Sequence, residues 1–241
     1  MPEKTLEELV DASSVIFKGT LRNLGASMMP EVPPGDDTAV VTIDSVLASA
    51  TVLGDLKGTA ITIRLAEDAK LKPGGQAIFF TNVSVYGSQL CVDEVGRVDA
   101  KREGDVVATI DARPDRELSA RLERTELAVA GKVEKVKDAK DVIEPVSEHS
   151  PEWKRATLAT ESVELGDLKG RRVDVLFPGS DEPMFETSPK LQVGQEGVFL
   201  LRRGEGPFAP SDAFTILDSR DVHPRAELPR IRKLLKPGKK R

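Results

Sequence analysis

The sequence predicts a mainly β protein built from two tandem five-stranded barrels with short helices. Three observations support this prediction. The chain contains an internal repeat, each copy has five short segments rich in β-branched residues, and neither copy has a helical pattern long enough to connect parallel strands. A chain of 241 residues holds one or two domains at roughly 100–200 residues each, and the repeat favours two.

The repeat is clearest in a hexapeptide. Residues 53–58 have the sequence LGDLKG, and the same six residues return at 165–170, which is 112 positions later. The same offset places Gly19 on Gly131, so a separate stretch of the chain agrees with it. Ordered matches on both sides of a shared motif favour duplication over chance.

A second match sets the domain limits. Residues 70–80 resemble residues 190–200 at an offset of 120, which indicates eight extra residues in the second copy. We therefore predict a first barrel over 1–112, a second barrel over 113–224 and a basic C-terminal helix or tail over 225–241.

Each copy is expected to begin with a helical turn and to continue with five strands. Thr5 and Glu8 have the spacing of a capping box, which predicts a short helix through Leu9 and Val10. The strands predicted in the first copy are rich in β-branched residues and cover 15–21, 38–43, 59–65, 76–80 and 90–95. Their counterparts in the second copy cover 127–136, 156–163, 171–177, 197–201 and 214–217.

The segment between the copies is expected to add one strand and one helix. Residues 104–110 form a short apolar run that fits a strand. Pro114, with Leu118 and Leu122 one helical turn apart, predicts a helix that starts at the proline. Since no helix of crossover length is expected within a copy, small antiparallel barrels are favoured over βαβ units. The OB-like Greek-key barrel is the most economical closure because it leaves few edges exposed.

Two glycines are predicted to occupy equivalent turns. Gly58 and Gly170 each end the Leu-Lys-Gly turn and lead directly into a strand. Such a position usually needs φ > 0, which residues with a Cβ adopt only with strain. Replacing either glycine by valine should therefore destabilise the barrel that contains it.

The order of turn motifs resembles a known family. Gly19, residues 56–58 and Gly74 precede or end strands in the first copy, and similar motifs recur in the second. In this order they resemble bacterial members of the netrin-module/TIMP-like OB-fold group, which implies tandem OB-like domains. TIMP-type metalloprotease inhibition needs a disulfide-rigidified domain and an N-terminal cysteine. This chain begins with Met1 and its only cysteine is Cys91, so that activity is not implied.

Composition excludes several classes of function. The net charge is −5, which argues against a globally basic nucleic-acid-binding protein. No apolar run approaches the ~20 residues of a membrane helix, so we expect no membrane insertion. One cysteine and two histidines, His149 and His223, are too few for a His/Cys zinc site, and we expect no metal and no cofactor. The first residues lack the pattern of a secretory signal, which predicts a cytoplasmic protein.

No residue is predicted to be catalytic, and the chain is not expected to be an enzyme. Both histidines lie in proline-bordered segments. The sequence offers Ser and Asp neighbours for each of them, but these residue types are common in surface loops and do not by themselves indicate an oriented nucleophile or partner. The loops after the first strand of each copy are long, however, and they contain apolar residues of the kind enriched in interface cores. We predict these as partner-binding residues: Met28, Met29, Val142, Ile143 and Trp153. The alternative is that they close the barrels as core residues.

The C-terminal segment is strongly basic. Residues 225–241 contain eight basic residues and one acidic residue, so this segment could engage an acidic partner, RNA or an anionic membrane. Arg232 and Lys233 are predicted to contact a partner. Ile231 and Leu234 predict a short helix that docks on the second barrel.

These observations favour a non-enzymatic protein–protein interaction module, an adaptor or structural subunit that binds another protein or a larger assembly. Single-stranded nucleic-acid binding is an alternative because many OB-folds have that use. Aromatic residues make up only 4% of the chain, however, and stacking platforms need them. A protease inhibitor that acts by a mechanism other than that of TIMP is a further alternative.

Overall fold

A computed structural model describes residues 4–66, 72–86, 89–140, 151–204 and 213–236. The chain divides into two compact units, Met1–Pro114 and Asp115–Arg241. Each unit contains a closed five-stranded barrel, so the predicted mainly β fold with two OB-like barrels is confirmed.

The first unit follows the predicted order of elements. Its helix and strands are α1 Leu6–Asp11, β1 Val15–Leu24, β2 Thr38–Ala48, β3 Ala60–Arg64, β4 Gln76–Tyr86 and β5 Leu90–Asp99. The expected capping box begins α1, since the Thr5 amide donates to Glu8 Oε2 at 2.7 Å and the Glu8 amide donates to Thr5 Oγ1 at 3.2 Å. The strand order is β1-β2-β3-β5-β4, and only the β3–β5 pair is parallel.

Successive side chains along the strands point to opposite faces of the sheet and form two apolar layers in the first unit. Phe17 and Phe79 stack inside the barrel with their ring centroids 5.3 Å apart. Ile16 and Phe80 point the other way and pack against Leu9 of α1 and against Val106. The barrel is therefore filled on the inside and covered on one outer face.

One long helix replaces the strand and helix predicted between the copies. This helix, α2 Glu103–Leu122, contains Pro114 in its interior, so the predicted strand over 104–110 and the predicted helix start at Pro114 are both wrong. A short apolar run fits a strand and a helix equally well by periodicity alone. Val106 and Ile110 lie one helical turn apart and bury against the first barrel, and this packing favours the helix.

The second unit repeats the strand order of the first, divides the counterpart of β5 into two short strands and adds a C-terminal helix. Its elements are β6 Leu127–Asp138, β7 Trp153–Leu165, β8 Arg172–Pro178, β9 Glu196–Arg203, β10 Phe214–Thr215, β11 Val222–His223 and α3 Leu228–Leu235. The strand order is β10-β8-β7-β6-β9-β11, and the β10–β9 pair closes the barrel. The β8–β10 pair is parallel, as β3–β5 is in the first unit.

The duplication is visible in the strand register. Gly19 lies opposite Ala77 in the first barrel, and Gly131 lies opposite Gly197 in the second, so both sequence offsets are preserved. Gly58 has φ +78° and Gly170 has φ +93°, which confirms the predicted positive φ at both turns.

The predicted C-terminal helix is also confirmed. Ile231 of α3 is fully buried with Leu118, Leu122 and Leu200 in an apolar cluster of the second unit. Among the described residues, no helix is long and apolar enough to cross a membrane.

A candidate binding site in the second barrel

Of the two partner-binding residues predicted in the first loop, Met28 lies at the surface and Met29 lies in the core. The Met28 residue is 39% exposed, but Met29 is 5% exposed and packs with Val32 against Cys91. Met29 is therefore a core residue, which is the alternative that the sequence left open.

The same loop covers part of the outer face of the first barrel. The Met28 amide donates to Thr62 Oγ1 at 3.0 Å, and Thr62 and Cys91 are both fully buried. Burial raises the pKa of the Cys91 thiol. OB-folds often bind ligands on the β2–β3 face with the adjoining loops, and part of this region is occupied here by the chain itself.

The corresponding loop of the second copy is described only at its ends. Val142, Ile143 and His149 lie outside the described residues. Trp153 begins β7, is half-buried, and packs against a cluster that includes Ala139 and Leu176.

Arginines in and near α3 bind the barrel on which the helix docks. The Arg232 guanidinium donates two hydrogen bonds of 2.8 Å to the carboxylate of Glu164, and this contact lowers the pKa of Glu164. Arg230 donates to Asp115 at 2.6 Å, and Arg225 pairs with Glu161. Lys233 is exposed. Much of the positive charge in this segment is therefore paired with carboxylates of its own unit.

A polar cavity that was not predicted lies in the second unit. Its volume is about 410 Å³, and it is bounded by the end of α2, by β9 and by the segment from Thr215 to Asp221. We call it the arginine pocket because four arginines line it: Arg121, Arg124, Arg202 and Arg220. Three carboxylates also line it: Glu117, Asp218 and Asp221.

Arg121 is the fixed centre of the arginine pocket. Its guanidinium donates to Asp221 Oδ1 at 2.7 Å and to Asp218 Oδ2 at 3.1 Å. The side chain of Arg121 is 18% exposed and that of Asp221 is 6% exposed, so this pair is largely shielded from water. Burial by itself would lower the pKa of Arg121, but the hydrogen bonds to Asp221 and Asp218 outweigh it and the pKa is raised.

The other three arginines differ in how fully they are engaged. Arg220 donates to Asp218 at 2.7 Å, and this contact, with those from the Arg220 amide and Arg121, holds the pKa of Asp218 well below its usual range. Arg202 approaches Asp221 only at 3.8 Å, beyond hydrogen-bond distance. The exposed Arg124 makes no ion pair with any residue in the described ranges. Arg202 and Arg124 therefore retain donors for a ligand.

The first barrel has an apolar contact where the second has this charged pair. The offset of 112 aligns Arg121 with Leu9. Leu9 packs so closely on Gly96 that a Cβ added to Gly96 would lie 2.7 Å from Cδ2 of Leu9. In the second barrel, the strand that corresponds to β5 is interrupted between β10 and β11.

The interruption can be located from the register. Asp93 and Arg97 pair with Asn82 and Phe79 of β4, and four positions separate them. Their counterparts in the second barrel are Thr215 and Val222, which pair with Arg202 and Phe199 of β9 and are seven positions apart. Three extra residues therefore form the excursion that holds Asp218, Arg220 and Asp221.

One signal in the sequence could have indicated this site. The repeat aligns the apolar Leu9 with the charged Arg121, on a helical face that is otherwise apolar in both copies. A charge that appears at a core position of only one copy is a reason to look for a buried partner. That partner, Asp221, lies 100 residues away in sequence, so spacing alone does not reveal it.

Within the described ranges, no group of three or more His, Cys, Asp or Glu side chains could hold a metal ion. Comparison of the chain with known protein families and with curated proteins finds no match.

Proposed function

We propose that the protein is a non-enzymatic protein–protein interaction module, an adaptor or structural subunit, whose arginine pocket binds a segment of a partner protein. The observation that supports this proposal is the divergence of the two barrels at one equivalent place. The first barrel closes this place with Leu9 on Gly96, whereas the second opens a charged cavity around Arg121.

Stability alone does not account for this divergence. A buried ion pair is usually no more stabilising than well-packed apolar side chains, because desolvation of the charges offsets their attraction. In the first barrel, the apolar contact between Leu9 and Gly96 fills the equivalent place, so the fold is compatible with apolar side chains there. A binding role for the charged version is therefore the more economical explanation.

The distribution of aromatic side chains favours a protein partner over single-stranded nucleic acid. Among the aromatic side chains that the structure describes, most are buried, and Phe185 and Trp153 are half-buried. Binding of single strands usually relies on exposed aromatic rings on which the bases stack.

The proposal can be tested by affinity purification from native lysate with matched variants. Arg124→Glu/Arg202→Glu reverses two charges in the pocket. Lys169→Glu/Arg171→Glu makes the same change of charge at exposed positions of the same unit that do not line the pocket. We expect a protein retained by the wild type and by the Lys169/Arg171 variant, and lost from the Arg124/Arg202 variant. Free monomer from every sample, or equal retention by all three proteins, would contradict the proposal.

A further inference from the structure

The charges that line the arginine pocket nearly balance, and this limits the ligand. Four guanidinium groups and three carboxylates leave a single positive charge. A polyphosphate or a nucleic-acid backbone would bring several negative charges close to Glu117, Asp218 and Asp221, and like charges at such distances repel. The charge of the pocket matches one monoanionic group.

The donors that remain are suited to a carboxylate. Arg121 and Arg220 are already bonded to Asp218 and Asp221, whereas Arg202 only approaches a carboxylate at 3.8 Å. Arg202 and Arg124 thus present planar guanidinium groups on the same cavity. An arginine fork matches the two oxygens of a carboxylate and binds it with two parallel hydrogen bonds.

The pocket also has an apolar wall. Leu217 lines it and is 51% exposed, and Ala120 lines it from α2. An exposed leucine beside a charged cavity can bury an apolar neighbour of the bound carboxylate, and this adds the hydrophobic contribution that ion pairing alone lacks.

We propose that the arginine pocket binds the side-chain carboxylate of one glutamate or aspartate in a partner segment, with an adjoining apolar side chain against Leu217. This inference rests on the proposed function and names the chemistry that the site recognises. Arg121 is a positioning residue here, since Asp218 and Asp221 hold it at the base of the pocket.

The test uses the full chain and short peptides as probes. The arginine Nε–H resonances are followed by NMR during titration with acetyl-Leu-Glu-Leu-amide, with the isosteric acetyl-Leu-Gln-Leu-amide and with inorganic phosphate. We expect the glutamate peptide to shift the signals of Arg124 and Arg202 and the methyl signals of Leu217. We also expect it to bind at least tenfold more tightly than the glutamine peptide. In Arg124→Gln/Arg202→Gln the preference for glutamate should fall at least tenfold.

Equal affinity for the two peptides would overturn the inference, and so would tighter binding of phosphate than of the glutamate peptide. The signals of Arg225 and Arg232, which pair outside the pocket, should not move. The purification experiment is independent of this one. Suppose that a partner protein is lost only from the Arg124/Arg202 charge-reversal variant, but the peptide titration shows no preference for glutamate. The proposed function would then stand, and the assignment of a carboxylate ligand would be wrong.

Discussion

Replacing Arg121 by leucine, the residue at the equivalent position of the first copy, removes the central ion pair of the arginine pocket. Among the residues that the structure describes, Arg121→Leu leaves Asp221 with Arg202 alone, at 3.8 Å, while Asp218 keeps Arg220 at 2.7 Å. Removing one partner of a buried ion pair costs about 3–5 kcal/mol because the other charge stays buried without compensation. Since Asp218 is 28% exposed and retains one arginine, we expect the lower end, about 3 kcal/mol.

Trp153 provides a specific assay for this prediction. It is the only tryptophan and lies in the second unit, so its fluorescence follows unfolding of that unit alone. At a urea m value of about 1.5 kcal/mol per M, the midpoint should fall by about 2 M. Adding Asp221→Asn to Arg121→Leu should recover at least about 1 kcal/mol, because it removes the unpaired buried charge.

Two results would contradict this prediction. A loss below about 1 kcal/mol for Arg121→Leu would mean that the pair is solvated and that Leu packs as Leu9 does. Strictly additive effects of Arg121→Leu and Asp221→Asn would mean that the two side chains do not interact.

Three further predictions follow from single positions. Gly58→Val and Gly170→Val should each destabilise their own unit by about 1–2 kcal/mol or more in urea unfolding, since both positions have positive φ. The space around the Cβ is open at both positions, so the loss comes from backbone strain and not from a steric clash. Met29→Ala should speed modification of Cys91 by a thiol reagent, because Met29 and Cys91 are buried in the same apolar cluster. Burial lowers the pKa of His223, so stability of the second unit should fall as pH drops below 6.5, where only the unfolded form gains a proton.

Matched variants identify the cause in each case. Gly104→Ala, in open space on α2, should be neutral or stabilising, and equal losses at Gly104 and at Gly58 would contradict the argument from φ. Met28→Ala should leave the rate of Cys91 modification nearly unchanged because Met28 is exposed. His223→Gln should flatten the pH dependence of Trp153-detected unfolding, and an unchanged slope would assign it to other groups.

Local and periodic signals were sufficient to predict much of the fold. The capping box of Thr5 and Glu8 and the turn glycines Gly58 and Gly170 depend on a few neighbouring residues, and both predictions are confirmed. The repeat depends on matches at a fixed offset, and the strand register preserves it. The start of α2 was missed because the apolar run at 104–110 fits two periods, and burial of Val106 against the barrel decides between them.

The candidate site could not be predicted in the same way. It depends on pairs such as Arg121 with Asp218 and Asp221, which are about 100 residues apart and come together only once the barrel closes. The loop prediction was limited for a related reason, because the difference between exposed Met28 and buried Met29 depends on how the loop folds back onto Cys91.

Site-specific photo-crosslinking in the native cell tests the central proposal most directly. A benzophenone amino acid replaces Leu217 at the edge of the arginine pocket and, in a control protein, replaces Val193, which is 65% exposed in the same unit outside the pocket. We expect a discrete protein adduct at position 217 that is absent at position 193 and absent when Arg124 and Arg202 are replaced by glutamate. Adducts that are identical at both positions, or no protein adduct at 217, would contradict the proposal.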